Sequence, residues 1–240
     1  MNRVLVLFAR EPARQARDKG LPSPGAVELF RDFARGWQEA ARLAGARLIV
    51  AAPPEDRPAW NTVFGGAESG WISQRGMSLG ARLEHAARYA ASLGGHAVLV
   101  GGDVAPSAVA LLEAFQAMEG RADAAISPAP DGGFSMVALS AGDLDLLRGV
   151  RERRRTALRD LLRELSVRRR TVRLLSPAAD VDGRGPLRAL LRRELLPALF
   201  VPLALQSLAV SPDFSRQSGS APPRALLHGP SVLRGPPPPA

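Results

Sequence analysis

The chain has 240 residues, enough for one sizeable domain with its own core, and its 46% apolar and 23% charged residues are ordinary for a soluble globular protein. It has no cysteine, which excludes disulfides, thiolate metal sites and cysteine nucleophiles and is compatible with a cytoplasmic location. The net charge of +9 is confined to the carboxyl-terminal part: residues 1–145 carry 14 basic and 16 acidic side chains, residues 146–240 carry 18 and 7. With 31 arginines against the single Lys19, and abundant Ala, Gly and Pro, the bias fits a GC-rich coding sequence as well as a nucleic-acid partner.

The apolar run Val4–Ala9 is too short for a signal peptide, and Leu195–Val210, interrupted by Pro197, Pro202 and Gln206, is too short to span a membrane. Val4 to Phe8 reads as a buried central strand. A loop rich in Pro, Arg and Gly is expected from Arg10 to Gly25. Leu29, Phe30, Phe33, Trp37, Ala40, Ala41 and Ala44 then recur at helical spacing up to Gly45. Arg47–Ala51 predicts a second strand, and Ser78 caps a helix running to Leu93. His96–Val100 predicts a third strand, and a helix runs from Pro106 to Met118. Short strands follow at Ala124–Ile126 and Phe134–Leu139, then a helical region from Asp143 to Leu165, a strand at Thr171–Leu175 and a last helix from Pro186 to Leu195. This alternation predicts an α/β domain over residues 1–195, mostly parallel, with helices on both sheet faces and ligands at the carboxyl ends of the strands. Residues 196–210 read as an apolar extension, and 211–240 as a disordered proline-rich tail.

Acidic residues and glycines concentrate at those strand ends. Asp103 follows a buried strand and two small residues, Gly101 and Gly102, which permit close approach of a ligand. A carboxylate so placed suits a hard divalent cation and equally suits a helix cap. In Asp180-Val181-Asp182 an extended backbone would point both carboxylates the same way, toward a metal, while a turn before Gly183 explains them as well. Asp131-Gly132-Gly133 is a hairpin signal whose glycines would also let a sugar or base lie against the backbone. Arg10, Arg14, Arg17 and Lys19, past the first strand, are placed to neutralise a diphosphate, although no P-loop sequence is present. Arg148 to Arg173 holds eleven arginines against Glu152, Asp160 and Glu164; without aromatics for stacking it reads as a solvated face, not as a specific nucleic-acid surface.

Together these segments resemble a bacterial family of GT-A-like transferases, named in places for arsenosugar biosynthesis or as selenodomain-associated glycosyltransferases, over residues 1 to about 193. Family members open with Phe-Ala-Lys-x-Pro, echoed by Phe8-Ala9-Arg10-Glu11-Pro12. Their Gln-x-Gly-x-x-Leu-Gly-x-Arg is similar to Gln74 through Arg82, and their Gly-Ser-Asp-x-Pro to Gly101-Gly102-Asp103 with Pro106. Asp-Gly-Gly-Tyr is similar to Asp131–Phe134, and Asp-Val-Asp-Thr to Asp180–Gly183.

The resemblance implies the nucleotide-diphospho-sugar transferase fold and a glycosyltransferase-like enzyme moving a sugar from a nucleotide-sugar donor to a small-molecule acceptor. Asp103 and Asp182, with Asp180, would hold Mg²⁺ or Mn²⁺. Arg10, Arg17, Lys19, Arg82, Gly101, Gly102, Gly132 and Gly133 would contact the donor, and Asp131 would act at the acceptor side. A nucleotidyltransferase of the same fold, or a nucleotide-binding module that has lost turnover, are the alternatives. The family's Lys-Thr-Arg-Leu is replaced by Arg17-Asp18-Lys19-Gly20-Leu21, so Arg17 and Lys19 stand in only with a one-residue shift, and Phe134 lacks the tyrosine hydroxyl.

Overall fold

In the computed structural model, which describes residues 2–65, 70–151, 155–178, 180–193 and 196–209, the apolar runs form the middle of one sheet. Strands β1 (Asn2–Phe8), β2 (Ala46–Ala52), β3 (Gly70–Ser73), β4 (Gly95–Gly101), β5 (Ala124–Pro128), β6 (Phe134–Leu139) and β7 (Val172–Leu174) lie in the order β3-β2-β1-β4-β6-β5-β7. All are parallel except β6, which runs antiparallel to both β4 and β5. The expected mostly parallel α/β sheet is thus present, with one antiparallel strand inserted.

Both faces of the sheet are covered. Helices α2 (Pro24–Leu43), α3 (Arg57–Phe64) and α5 (Ala108–Glu119) bring Trp37, Trp60, Leu111 and Phe115 against Leu5, Leu7, Val50, Val98 and Val100. Helix α4 (Leu79–Ser92), a 3₁₀ segment (Ala141–Gly149) and α6 (Ala157–Val167) cover the alternate residues Val4, Val6, Ile49, Leu99 and Val137. Ser23, Ser78 and Ser107 cap α2, α4 and α5 by accepting the N–H three residues on, which fixes where each helix leaves the sheet. A third cluster joins α1 (Pro12–Asp18), α2, α7 (Arg184–Arg192) and α8 (Val201–Ala209) around Leu29, Phe30, Phe33, Leu187 and Phe200. The apolar segment after residue 195 therefore contributes packed side chains, with α8 lying on α2: a Cβ on Gly25 would come within 2.8 Å of Gln206.

Several expectations change. The loop from Arg10 to Gly25 contains a short helix, α1, started by Pro12, whose missing N–H costs nothing at a helix start. The single helical region over 143–165 is two pieces, a 3₁₀ turn and α6, with Val150 extended at their junction. Arg151 and Arg155, like charges at helical neighbour spacing, disfavour one continuous helix there. The short β3 and α3 had no strong periodic signal. The expected tail, residues 211–240, lies outside the described residues. No helix among the described residues is long and apolar enough to cross a membrane.

The chain moves from β1 outward to β2 and β3, with α2 and α3 on one face, then returns across the other face through α4 to place β4 on the opposite side of β1. The chain leaves β1 and β4 in opposite directions along the sheet, and at such a point sheets of this kind have their ligand crevice, outside the carboxyl ends of the strands.

Candidate active site at the carboxyl ends of β1 and β4

Asp103 reaches this crevice because β4 ends in two glycines. The Gly102 N–H donates to Phe8 O at 3.1 Å, and a Cβ on Gly102 would lie 2.4 Å from that of Ala9, so the two strand ends approach more closely than any larger residue allows. Val104 is buried immediately after, its carbonyl accepting from Trp37 Nε1 at 2.9 Å, which fixes the turn that carries Asp103.

The second acidic segment docks directly on this turn. Val104 and Asp180 form an antiparallel bridge, and the Val181 N–H donates to Asp103 O at 3.0 Å. Val181 is fully buried among the α1, α2 and α7 side chains, so alternation turns Asp180 and Asp182 together toward Asp103. The three carboxylates offer oxygens that all lie within 4.8 Å of one another, the one group of three acidic or histidine side chains among the described residues arranged to hold a metal ion. Gly183, at φ 134°, begins the departure into α7 and approaches Lys19 O.

Lys19 enters from the third side. Helix α1 closes with Gly20 in the left-handed region at φ 65°; the Gly20 N–H donates to Arg17 O, the Leu21 N–H to Ala16 O, and Leu21 is buried. This glycine-terminated cap leaves Lys19 between a fixed helix and a fixed apolar plug. Its ammonium pairs with both Asp103 and Asp182. The buried Asp56 steadies the start of the same loop by accepting the Glu11 N–H and the Arg14 guanidinium, each at 2.9 Å.

The electrostatics follow from crowding. Burial, reinforced by the charges of Asp103 and Asp182 and by a hydrogen bond with Asp182, pushes the Asp180 carboxyl up to about 7. Burial opposes the charge on Lys19, but Asp103 and Asp182 outweigh it and hold the ammonium above its usual value. The site thus contains a fixed cation, two carboxylates paired to it, and a third carboxyl that ionises with difficulty.

The remaining expected residues divide by position. Gly101 lies beside Asp103, a Cβ there falling 2.5 Å from Asp103 Oδ1. Arg10 pairs with Asp18 at 2.6 Å, and Arg17 is exposed on the last turn of α1, so neither joins the carboxylates. Arg82 lies in the first turn of α4, half-buried. Asp131, Gly132 and Gly133 form the β5–β6 turn, where Asp131 Oδ1 accepts the Gly133 N–H at 2.8 Å; Gly132, at φ 91°, leaves no room for a Cβ against Arg155 O at 2.0 Å. That turn sits at the same end of the sheet as Asp103, since β5 runs parallel to β4, but it makes no hydrogen bond or ion pair with the carboxylates among the described residues.

Asp56 and Gln74 are functional supports that residue-type reasoning passed over. The Gln74 side-chain amide donates to Ala51 O at 2.9 Å and Ala9 O at 3.3 Å, tying the ends of β1 and β2. Its place at the head of the Gln-x-Gly segment was the available signal. In the arginine-rich segment Arg168 and Arg170 converge on Asp143, whose side chain is wholly buried, with Asp145 and Asp123 beside them, while the described arginines as a set lie on the exposed surface. A groove of about 630 Å³ between α5 and β7, lined by Gln116, Ala117, Arg173 and Leu174 among others, includes none of the carboxylate cluster. It gathers no convergent set of acids, so the chemistry favours the crevice over this groove.

Comparison with known proteins agrees with this architecture. The structure of a "putative nucleotide-diphospho-sugar transferase" from Desulfovibrio desulfuricans G20 superimposes with a TM-score of 0.73 at 23% identity, over 86% of this chain and 99% of that one. The chain has the nucleotide-diphospho-sugar transferase fold. The inositol-1-phosphate CTP transferase of T. maritima (TM-score 0.55, 11% identity, 86% and 96% covered) shares it. So does Rv0371c of Mycobacterium tuberculosis H37Rv in complex with manganese (TM-score 0.51, 17% identity, 80% and 99% covered). Residues 37–152 match a family described as an uncharacterised protein conserved in bacteria (DUF2064). That stretch includes Gln74–Arg82, Asp103 and Asp131–Phe134 and leaves out Lys19, Asp180 and Asp182. No curated protein matches the sequence.

Proposed function

We propose that this chain is a divalent-cation-dependent transferase that takes a sugar from a nucleotide-sugar donor and passes it to a small-molecule acceptor, in a cytoplasmic setting. The observation that carries the reading is the convergence of Asp103, Asp180 and Asp182, from two loops 77 residues apart, at the switch point of the sheet. Three carboxylate oxygens in this arrangement fit a hard, oxygen-seeking cation such as Mg²⁺ or Mn²⁺. When bound, the ion would neutralise the negative charge that accumulates on the departing nucleoside diphosphate.

The protein's own groups take the other tasks. Lys19, on a loop clamped by Asp56 and Leu21, supplies a second positive charge beside the cation position, and Arg10 and Arg17, from the same β1–α2 connection, are assigned to the donor's phosphates. Gly101 and Gly102 let the donor approach the backbone. In the transfer, the bond between the sugar's anomeric carbon and the diphosphate oxygen breaks, the leaving group keeps the electron pair, and an acceptor hydroxyl forms the new bond. Asp131 is assigned to the acceptor side, where its second oxygen, without a partner among the described residues, would take the hydroxyl proton. The fold similarities support transfer chemistry and do not extend to the arsenosugar or selenodomain designations.

The test is thermal unfolding of wild type and Asp103→Ala with UDP, GDP, CDP, TDP and their sugars, each with Mn²⁺ or EDTA. A stabilisation by one nucleotide that needs Mn²⁺ and disappears in the variant is expected. Product analysis then separates the chemistries, since sugar transfer releases a nucleoside diphosphate and nucleotidyl transfer releases pyrophosphate. A folded wild-type protein stabilised by no nucleotide would refute the assignment.

A further inference from the structure

Resting on that reading of the metal site, we propose that Lys19 is a tethered competitor of the divalent cation, which must displace the ammonium before it can be held by Asp103 and Asp182. The ammonium takes one oxygen from each carboxylate, Asp103 Oδ2 and Asp182 Oδ1, and both carboxylates belong to the group of three that can each offer an oxygen within 4.8 Å of the others. An ammonium and a doubly charged ion cannot occupy the same few ångströms between two carboxylates without strong mutual repulsion. One of them leaves.

Lys19 is able to leave without unfolding anything. Its backbone is fixed by Gly20 and Leu21, but the ammonium sits on a flexible four-carbon stem and the side chain keeps 19% of its exposure, a path by which it can swing outward. Once displaced, the ammonium has lost both partners while remaining at the mouth of the crevice. The neighbouring anions are already taken: Asp18 by Arg10, and Glu55 and Asp56 by Arg14. A ligand bearing a diphosphate would give the freed ammonium a new counter-charge. Cation and donor then favour each other's binding, reciprocally, and the empty enzyme resists loading by free metal.

The proposal is tested by titrating Mn²⁺ alone into the full chain and following the free-ion paramagnetic resonance signal, with no nucleotide present. Lys19→Met and Lys19→Gln, which remove the charge and keep most of the stem, should each bind Mn²⁺ about tenfold tighter than wild type or better. Lys19→Arg, which keeps the cation, should bind like wild type. The gain should vanish when Asp103→Asn is combined with Lys19→Met. In EDTA, Lys19→Met should melt below wild type and recover more than wild type does when Mn²⁺ is added. Equal or weaker Mn²⁺ binding by both neutral variants, shown to be folded, overturns the competition. If wild-type binding then still requires Asp103, the metal-site reading stands and only the role of Lys19 falls. Mn²⁺ binding by none of these proteins overturns both.

Discussion

Replacing Asp180 by Asn offers a stability measurement whose sign and pH window are fixed by the geometry. The Asp180 carboxyl is raised from an ordinary value of 3.8 to about 7 by burial and by the neighbouring charges of Asp103 and Asp182. Above about pH 4 the unfolded chain releases this proton while the folded chain keeps it, so wild-type stability falls as pH rises. The loss accumulates until about pH 7 and is constant beyond. A shift of about 3 units corresponds to a ceiling of about 4 kcal/mol, and partial solvent access reduces this to about 2 kcal/mol. Asparagine keeps the shape and does not titrate. In EDTA, urea unfolding followed by circular dichroism should therefore show Asp180→Asn gaining about 1 to 2 kcal/mol on wild type between pH 5 and pH 8. Saturating Mn²⁺ at pH 8 should reverse the order, because the ion stabilises three carboxylates better than two. A difference between the two proteins that does not change with pH would refute the account of the site as crowded negative charge.

Two further substitutions separate structural features from chemical ones. Gly80 lies in α4, where alanine would ordinarily add about 1 kcal/mol of helix propensity, yet a Cβ there falls 2.4 Å from Leu147 O and 2.6 Å from Arg148 O. Gly80→Ala should lower stability by about 1 to 3 kcal/mol, read as a drop in melting temperature, and an unchanged or higher value would show that the packing is looser than described. Asp143→Ala strips the buried partner from Arg168 and Arg170 and should cost about 2 to 4 kcal/mol with Mn²⁺ affinity unchanged. A loss of Mn²⁺ binding without a loss of stability would contradict its structural role.

Much of this was readable from residue order. Continuous apolar runs located β1, β2 and β4, because helices bury those strands on both faces, and helical spacing located α2 and α4, because each buries one face against the sheet. The strand–Gly–Gly–Asp sequence put Asp103 just past the end of β4, and of the two readings open for Asp180-Val181-Asp182 the buried Val181 selects the one in which both carboxylates turn the same way. What could not be read were relations between distant segments. Nothing local to Asp103 announces its bridge to residue 180, and nothing local to Lys19 announces that its partners are aspartates. The shift by one residue in the first loop looked like a weakened phosphate grip, and it is the glycine cap of α1 that aims Lys19 at the cluster. The arginines between 148 and 173 read as a solvated face, and the described ones are exposed, but no local signal announces that Asp143, Asp145 and Asp123 stand opposite two of them. β3, with four residues and one buried side chain, carries too little pattern to be recognised alone.

The carboxylate cluster also argues for a liganded working state on energetic grounds alone. The fold spends two close glycines, a buried valine and a backbone bridge to hold three acids where they repel one another, so that one of them ionises only near neutrality. An apolar residue at position 180 would relieve that repulsion, and the packing around Val104 and Val181 would hold the two loops together without any of the three acids. A lysine paired to two of the acids lessens the cost and leaves the third hydrogen-bonded to Asp182. Under the proposed function, such an arrangement lowers the stability of the free chain, and the entry of a doubly charged species would recover it, as expected of a binding site more than of a structural ion pair.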